Sequence, residues 1–438
     1  MKAQPPNQND RVWETLFQQY EILEKLEQEG KFILSIEQIR ECQESKVLTK
    51  FDHKNNLPEI FKKNQLGILP ISIKEYVISH INNYQPIEIP KKKTQNLIRI
   101  TYPPYELQSF QKGSILSETL ILQYAFASGI LTDFLEEEQI YPTISKQIQI
   151  GSFSFQIRNE KLDQEIELEV CNTPIELDAA FESKESLTLI KINRDLSEDF
   201  LIQNIYYPYR AWTDQIKKRI RLVFLIYSNG VFHLYEYEFC NPNQYHSLSF
   251  LRQKAYVIED TNITQMDLND VWVNVNLCEE PKIALPQAEY MERVINLCEL
   301  LQFRTMNRDQ LIQQYDFDIK QANGYTTAAR YLGLIQLLYP AGKKPIYILT
   351  KRGEEIMKMG YCQRQLELCR CILRHRVFHE LFGQTLKFGK VPKQWLIIAR
   401  MHKANLYQMD NPKTYEWRAS TISGWLQWIL NLFSNEKI

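Results

Sequence analysis

Leu187–Ile192 is a mainly apolar run, in which Leu187, Leu189, Ile190 and Ile192 are broken only by Thr188 and Lys191, and apolar residues fall at both odd and even positions. A strand with one wet face alternates apolar and polar side chains, whereas a run without alternation suits a strand covered on both faces. The run therefore predicts a central strand with other elements packed above and below it. Its neighbours agree with that role. Leu116–Glu138 reads as a helical stretch with Leu120, Tyr124, Ala127 and Leu131 on one face. Ile148, Ile150, Phe153, Phe155 and Ile157 predict a hairpin turning at Gly151-Ser152, and Ile166, Leu168 and Val170 a further strand. Phe200–Trp212 reads as an aromatic-rich helix. Leu222–Tyr227 and Val231–Phe239 flank Ser228-Asn229-Gly230, and Asn-Gly between apolar runs is a strong hairpin signal because both residues tolerate positive φ. The expectation for residues 96–284 is a mixed sheet with helices on its faces.

On the N-terminal side, residues 1–10 read as a disordered tail and residues 11–95 as a small α+β domain. Val12, Leu16, Tyr20, Leu23 and Leu26 have helical spacing, and Ser35 followed by Gln38 has the spacing of a capping box. Short strands are expected at Gly67–Ile71 and Tyr76–Ile78, then a linker at Pro90-Lys91-Lys92-Lys93. On the C-terminal side, residues 285–360 read as three short helices and a β-hairpin with a basic tip, the winged-helix pattern. Residues 361–438 read as a helical C-terminal unit. The fold class expected is an α+β multidomain chain.

The 438-residue length suits two to four domains. Eight cysteines are scattered without a Cys-x-x-Cys pair, which excludes a zinc ribbon and fits reduced thiols in a cytoplasmic protein. Cys371, His375 and His379, at i, i+4, i+8, could line a metal site; one packed helix face is the commoner meaning of such a stripe. No apolar window is long enough for a membrane helix, and the first residues lack the apolar core of a secretory signal. The formal net charge is only −1, but its distribution is uneven. From Pro281 to Ile438 there are 23 Lys and Arg against 13 Asp and Glu, and the preceding 280 residues hold 29 against 40. Such segregation is expected where one part of a chain meets phosphate.

The stretch richest in chemistry is Ile175-Glu176-Leu177-Asp178 followed by Leu187–Asn193. A carboxylate at a strand start, with polar residues at i and i+2 on the next strand, is the layout of a metal-dependent nuclease. There, carboxylates hold Mg²⁺ and a lysine positions the attacking water. Further motifs extend the likeness: Phe51-Asp52-His53-Lys54 with Leu57-Pro58, Leu69-Pro70-Ile71-Ser72, and Tyr124–Ile130. Tyr206–Arg210, Tyr227–Gly230, and Arg418–Thr421 with Trp425 and Trp428 complete the set. On these residues the chain resembles a family of type II restriction endonucleases, and residues 97–284 resemble their PD-(D/E)XK nuclease core. The resemblance implies a duplex-DNA-binding hydrolase that uses Mg²⁺. It also implies a cognate DNA methyltransferase as partner in a restriction-modification system, and it is compatible with a homodimer. It puts Asp178 at the metal-binding aspartate and Glu118 where some nucleases of this fold place a further acidic ligand. The signature glutamate and lysine fall on Lys191 and Asn193. An ammonium repels the cation that a carboxylate would bind, and asparagine lacks the lysine's charge. Three readings stay open. The site is inactive in a DNA-binding or regulatory protein; or its ligands have migrated to Glu169, Glu176 or Glu182 with Lys191 as the lysine; or the domain is no nuclease and Asp178 is a surface turn residue.

For the winged-helix reading, the third helix enters the major groove and the wing touches backbone. The residues this points to are Lys320, Gln321, Asn323, Tyr325, Thr326, Thr327 and Arg330, with Lys343 and Lys344 on the wing. Protein docking is the alternative use of such a module. Within Cys371–Ser420, Lys390, Lys393, Arg400 and Lys403 are further phosphate candidates. Arg418 and Ser420, with Thr421, are expected at the start of a last helix, contacting DNA or capping that helix.

Overall fold

In the computed structural model, the run Leu187–Ile192 lies inside the strand Ser186–Asn193, an interior strand of a seven-stranded sheet. The structure describes residues 8–42, 49–87, 97–100, 107, 117–149, 151–259, 261–404, 406–409 and 411–433, with backbone only at 8, 42, 145–149 and 314. The sheet runs Ile98–Ile100, Leu248–Ile258, Val231–Phe239, Arg219–Ser228, Ser186–Asn193, Pro174–Glu182, Tyr141–Gln149. Ser186–Asn193 is antiparallel to Pro174–Glu182 and parallel to Arg219–Ser228, so the latter connection needs a crossover. The helix Gln203–Thr213 makes it.

Both faces of the central strand are covered, as its composition requires. Leu187 and Leu189 pack with Ile205, Tyr206 and Tyr207 of the crossover helix and with Phe155 of a separate two-stranded sheet. Ile190 and Ile192 pack on the other face with Ile121, Tyr124, Ile130 and Phe134 of the helices Glu118–Ala127 and Ile130–Leu135. The Asn-Gly hairpin forms as expected. Ser228 pairs with Val231, and Asn229 and Gly230 take φ of 54° and 76°, the left-handed values a two-residue turn requires.

The hairpin expected at Gly151-Ser152 does not form. Phe153–Asn159 pairs with Gln164–Val170, while Tyr141–Gln149 pairs with Pro174–Glu182. Both have strand periodicity, and alternation alone does not choose a strand's partner. Ile150 and the Pro90–Lys93 linker lie outside the described residues, as do residues 1–7 of the expected tail. Gln8, Asn9 and Asp10 already belong to the first helix, Gln8–Gln19.

The N-terminal body joins that helix to a three-stranded sheet, with Gly67–Pro70 and Lys31–Ser35 flanking Glu75–Ser79. The capping box at Ser35 is present: Gln38 N donates to Ser35 Oγ (3.2 Å), and Ser35 N donates to Gln38 Oε1 (2.8 Å). Past the sheet, one hydrophobic cluster runs from Ile263 to Ile429. The C-terminal body thus starts before residue 285, with the helix Gln265–Asn274, and residues 285–360 and 361–438 share one core. It contains helices Met291–Leu301, Arg308–Gln314 and Ile319–Tyr331, then an antiparallel hairpin of Ile335–Leu338 and Ile346–Leu349. Among the described residues no helix is long and apolar enough to cross a membrane.

Candidate functional site

Two places collect the residues singled out by the sequence. The first is a notch at the end of the central strand pair. Pairing between Pro174–Glu182 and Ser186–Asn193 stops at Ala179 and Ile190. On its other side Pro174–Glu182 is bulged: Ile144 faces Ala180, but Lys146 faces Leu177. The extra residue re-aims the side chains around Asp178, which lies inside the strand rather than at its start or in a surface turn. Asp178 Oδ2 accepts from the Ile192 backbone N–H (2.7 Å), replacing the ladder bond lost where the strands part. Lys191 Nζ lies 3.2 and 3.0 Å from the two carboxylate oxygens. This pair is largely buried, with side chains 19% and 16% exposed, and is tied by charge-assisted bonds.

Glu118 opens its helix behind the Ser117 cap, near enough to the notch for the charges of Asp178 and Lys191 to act on it. Crowding around its carboxyl raises its pKa, and the Asp178 charge adds to that, against Lys191 and Arg194. Glu176 projects from the same strand to Lys50 of the N-terminal body (3.3 Å). Burial works against the Lys50 ammonium, but Asp52, Glu176 and Asp178 outweigh it and hold its pKa up. The other migration candidates are elsewhere. Glu182 pairs with Lys218 (2.5 Å), and Glu169 lies beside Cys171 in the separate hairpin. Asn193 does not join the notch group: its Oδ1 accepts from Asp195 N (3.1 Å) and its Nδ2 donates to Ser197 Oγ (3.3 Å), shaping the following turn.

Mg²⁺ takes near-octahedral oxygen ligation from one or two carboxylates and water. Both Asp178 oxygens are engaged by Lys191 and Ile192, so an ammonium stands where that cation would be held. Among the described residues no group of three or more His, Cys, Asp or Glu is arranged to hold a metal ion. As arranged, these residues do not fit Mg²⁺. The Cys371–His375–His379 stripe is a packed face. Cys371 is in the core, His375 stacks on Tyr331 (4.1 Å) beside Cys278 and Glu280, and His379 bonds to the Trp272 carbonyl (3.1 Å).

The second place is the helix Ile319–Tyr331. Asp318 caps it, and Gln321 closes the capping box by accepting from Asp318 N (3.0 Å). Lys320 and Asn323 are exposed and Thr327 and Arg330 half-buried, at i, i+3, i+7 and i+10, so the four share an outer face. Tyr325 and Thr326 point inward. Tyr325 is buried against Phe317, and Thr326 Oγ1 donates to the Ala322 carbonyl (2.6 Å). Both are core residues rather than surface contacts. Lys343 and Lys344 are exposed at the hairpin tip, and Lys344 pairs with Asp309 (2.5 Å). The last helix is Pro412–Asn431, capped by Asn411, so Arg418, Ser420 and Thr421 sit in its interior instead of at its start. Arg418 reaches Met409 Sδ, Ser420 Oγ donates to the Trp417 carbonyl (2.7 Å), and Thr421 is buried against Ala288 N (2.9 Å).

Sequence reasoning missed a buried node where the three bodies meet. His53 Nε2 lies 3.5 Å from Asp195 Oδ2, and its Nδ1 lies 3.3 Å from Asp199 Oδ1. Asp316 N donates to Asp195 (2.8 Å), and Arg293 lies 3.5 Å from both Asp316 and Glu198. Burial opposes the charged His53, but the hydrogen bond to Asp199 and the charges of Asp195, Asp316 and Asp199 raise its pKa to about 9. Burial also raises the Asp195 carboxyl, against His53 and Arg293. Four carboxylates face two cations, which favours a protonated His53.

Three family models match successive stretches of the chain. Domain of unknown function (DUF6996) covers residues 10–78, Domain of unknown function (DUF6997) residues 79–257, and Domain of unknown function (DUF7226) residues 293–434. No curated protein and no solved structure matches the chain.

Proposed function

We propose that this chain is a restriction-endonuclease-like protein that binds duplex DNA, with a catalytic notch closed by its own ion pair. The observation carrying the reading is the outer face of Ile319–Tyr331, where Lys320, Asn323, Thr327 and Arg330 align, in a body whose hairpin tip bears Lys343 and Lys344. Three helices followed by such a hairpin support a winged helix whose third helix reads the major groove while the tip meets phosphate. The positive excess of the C-terminal part supports the same partner.

Cleavage is the second reading, favoured by one observation: Glu118, Asp178 and Lys191 act on one another at a single notch. Two measurements on the full chain test both. Duplex binding, read by fluorescence anisotropy, is expected to weaken steeply with salt, by about 0.9 in log–log slope per neutralised phosphate. Absent or salt-independent binding overturns the DNA reading. Supercoiled plasmid with Mg²⁺ is expected to stay intact. Cleavage that disappears in Asp178→Ala shows instead that the notch is an active nuclease site.

A further inference from the structure

We propose that the C-terminal surface formed by the helices Gln394–Lys403 and Pro412–Asn431 takes unpaired nucleic-acid bases by stacking them on Trp395 and Trp417. This rests on the nucleic-acid reading above and extends it to a second surface with a different substrate form. The two indoles are 67% and 57% exposed, an expensive way to display two large aromatic side chains unless something covers them. They belong to adjoining turns of packed helices: Gln394, beside Trp395, donates to the carbonyl of Glu416, beside Trp417 (3.3 Å). A second tie fixes the pair of helices, since His402 stacks on Tyr415 at 3.9 Å and 21°. The indoles therefore stand on a rigid seat, and holding them in place adds little ordering cost on binding.

The charge around them selects the occupant. From Lys387 to Arg418 the sequence has seven Lys and Arg against Asp410 and Glu416. Lys393, Lys403 and Lys413 are exposed, and among the described residues none of the three has an ion-pair partner. Lys413 is four residues before Trp417 on its helix, and Lys403 eight after Trp395 on the other, so cations share each indole's face. Alternating cations and exposed aromatic rings suit a strand with phosphates on one side and bare base faces on the other. Duplex bases are already stacked on each other, so only an unpaired segment offers its faces to an indole. The apolar surface is aromatic and interrupted by Gln394, His402 and Glu416, unlike the continuous apolar face of a membrane-bound helix.

The test uses the full-length protein with a labelled oligothymidylate, which has no duplex form, beside a labelled duplex of equal length. The wild type is expected to bind the oligothymidylate with quenching of tryptophan fluorescence. Trp395→Ala/Trp417→Ala is expected to weaken that binding roughly 30-fold or more while duplex affinity changes little. Lys343→Ala/Lys344→Ala should do the reverse. A thermal melt of the tryptophan variant, expected to match wild type, separates lost stacking from misfolding, and Trp395→Phe/Trp417→Phe should restore most of the affinity. Duplex binding without oligothymidylate binding, or oligothymidylate binding indifferent to the tryptophans, overturns this inference and leaves the proposed function standing. Failure to bind either form overturns both. Binding to anionic phospholipid vesicles that needs the two tryptophans, with no oligonucleotide bound, assigns the surface to membranes and overturns the inference.

Discussion

Titrating His53 should loosen the joint between the three bodies. The imidazole is 5% exposed and lies between Asp195 and Asp199, and Asp316 adds its charge from the C-terminal body. Its pKa of about 9 in the folded chain compares with 6.5 for an unperturbed histidine. The folded value is the higher, so protonation stabilises the fold. That stabilisation is complete below pH 6.5 and is lost as pH rises through about 9. At about 1.4 kcal/mol per unit, the raised pKa corresponds to about 3 kcal/mol. His53→Gln keeps an amide donor for the carboxylates but cannot titrate. Urea unfolding at pH 6, 7.5 and 9.5 should show wild type losing about 3 kcal/mol more than His53→Gln across that window. His375, also raised beside Cys278 and Glu280, titrates in the same direction in both proteins and cancels in the difference. In histidine-labelled protein, the NMR resonance missing from His53→Gln should titrate near pH 9. Parallel stability profiles for the two proteins, or a midpoint at or below 6.5, would refute the charged-node argument.

Lys343→Ala should reduce the salt slope of duplex binding by about 0.9, and Lys344→Ala by less, because Asp309 already neutralises Lys344. Equal slopes in wild type and both variants would remove the tip from the DNA surface. Asn323→Ala or Arg330→Ala should relax discrimination between sites by about 1–3 kcal/mol per lost base contact, measured by competition with altered duplexes. A uniform loss over all sequences marks backbone contact instead. Glu299→Ala should destabilise the chain by about 3–5 kcal/mol in urea, because it leaves a buried Arg364 and the Asn229 turn without their shared carboxylate. A loss under 1 kcal/mol would show that Arg364 finds water or another partner.

The parts legible in the sequence were those fixed by local pattern. Apolar residues at both odd and even positions of Leu187–Ile192 marked the doubly covered strand, Asn229-Gly230 marked the turn, and Ser35 with Gln38 marked a cap. The faces of Ile319–Tyr331 are legible from helix position and residue type taken together. Tyr325 and Thr326 lie on the stripe of Ala322 and Ala329, while Lys320, Asn323, Thr327 and Arg330 lie on the other. Residue type alone does not separate the two faces, since Tyr325 and Thr326 carry hydroxyls yet are buried. The pairing of Tyr141–Gln149 with Pro174–Glu182 was not legible, because alternation is satisfied by several partners and the long insertion between them hides the choice. Nor was the node legible: His53, Asp195 and Asp316 are far apart in sequence, and each alone looks like an ordinary polar residue.

That node also limits what replacing the signature positions can mean. Asn193 orders the turn that carries Asp195, and Asp195 receives the backbone N–H of Asp316 just before the helix Ile319–Tyr331. Leu196 in the same loop donates to Asn296 of the C-terminal body (3.1 Å), whose amide also donates to the Arg194 carbonyl (2.8 Å). The end of the strand bearing Lys191 and the start of the proposed DNA-reading helix are therefore joined through one short loop. Lys191→Glu/Asn193→Lys would place a carboxylate beside Asp178, and it would also remove the Asn193 bonds to Asp195 and Ser197. Lys191→Glu alone separates the two effects. It changes the charge of the notch while the loop keeps its hydrogen bonds, so altered duplex affinity in the double variant but not in the single one would trace to the loop.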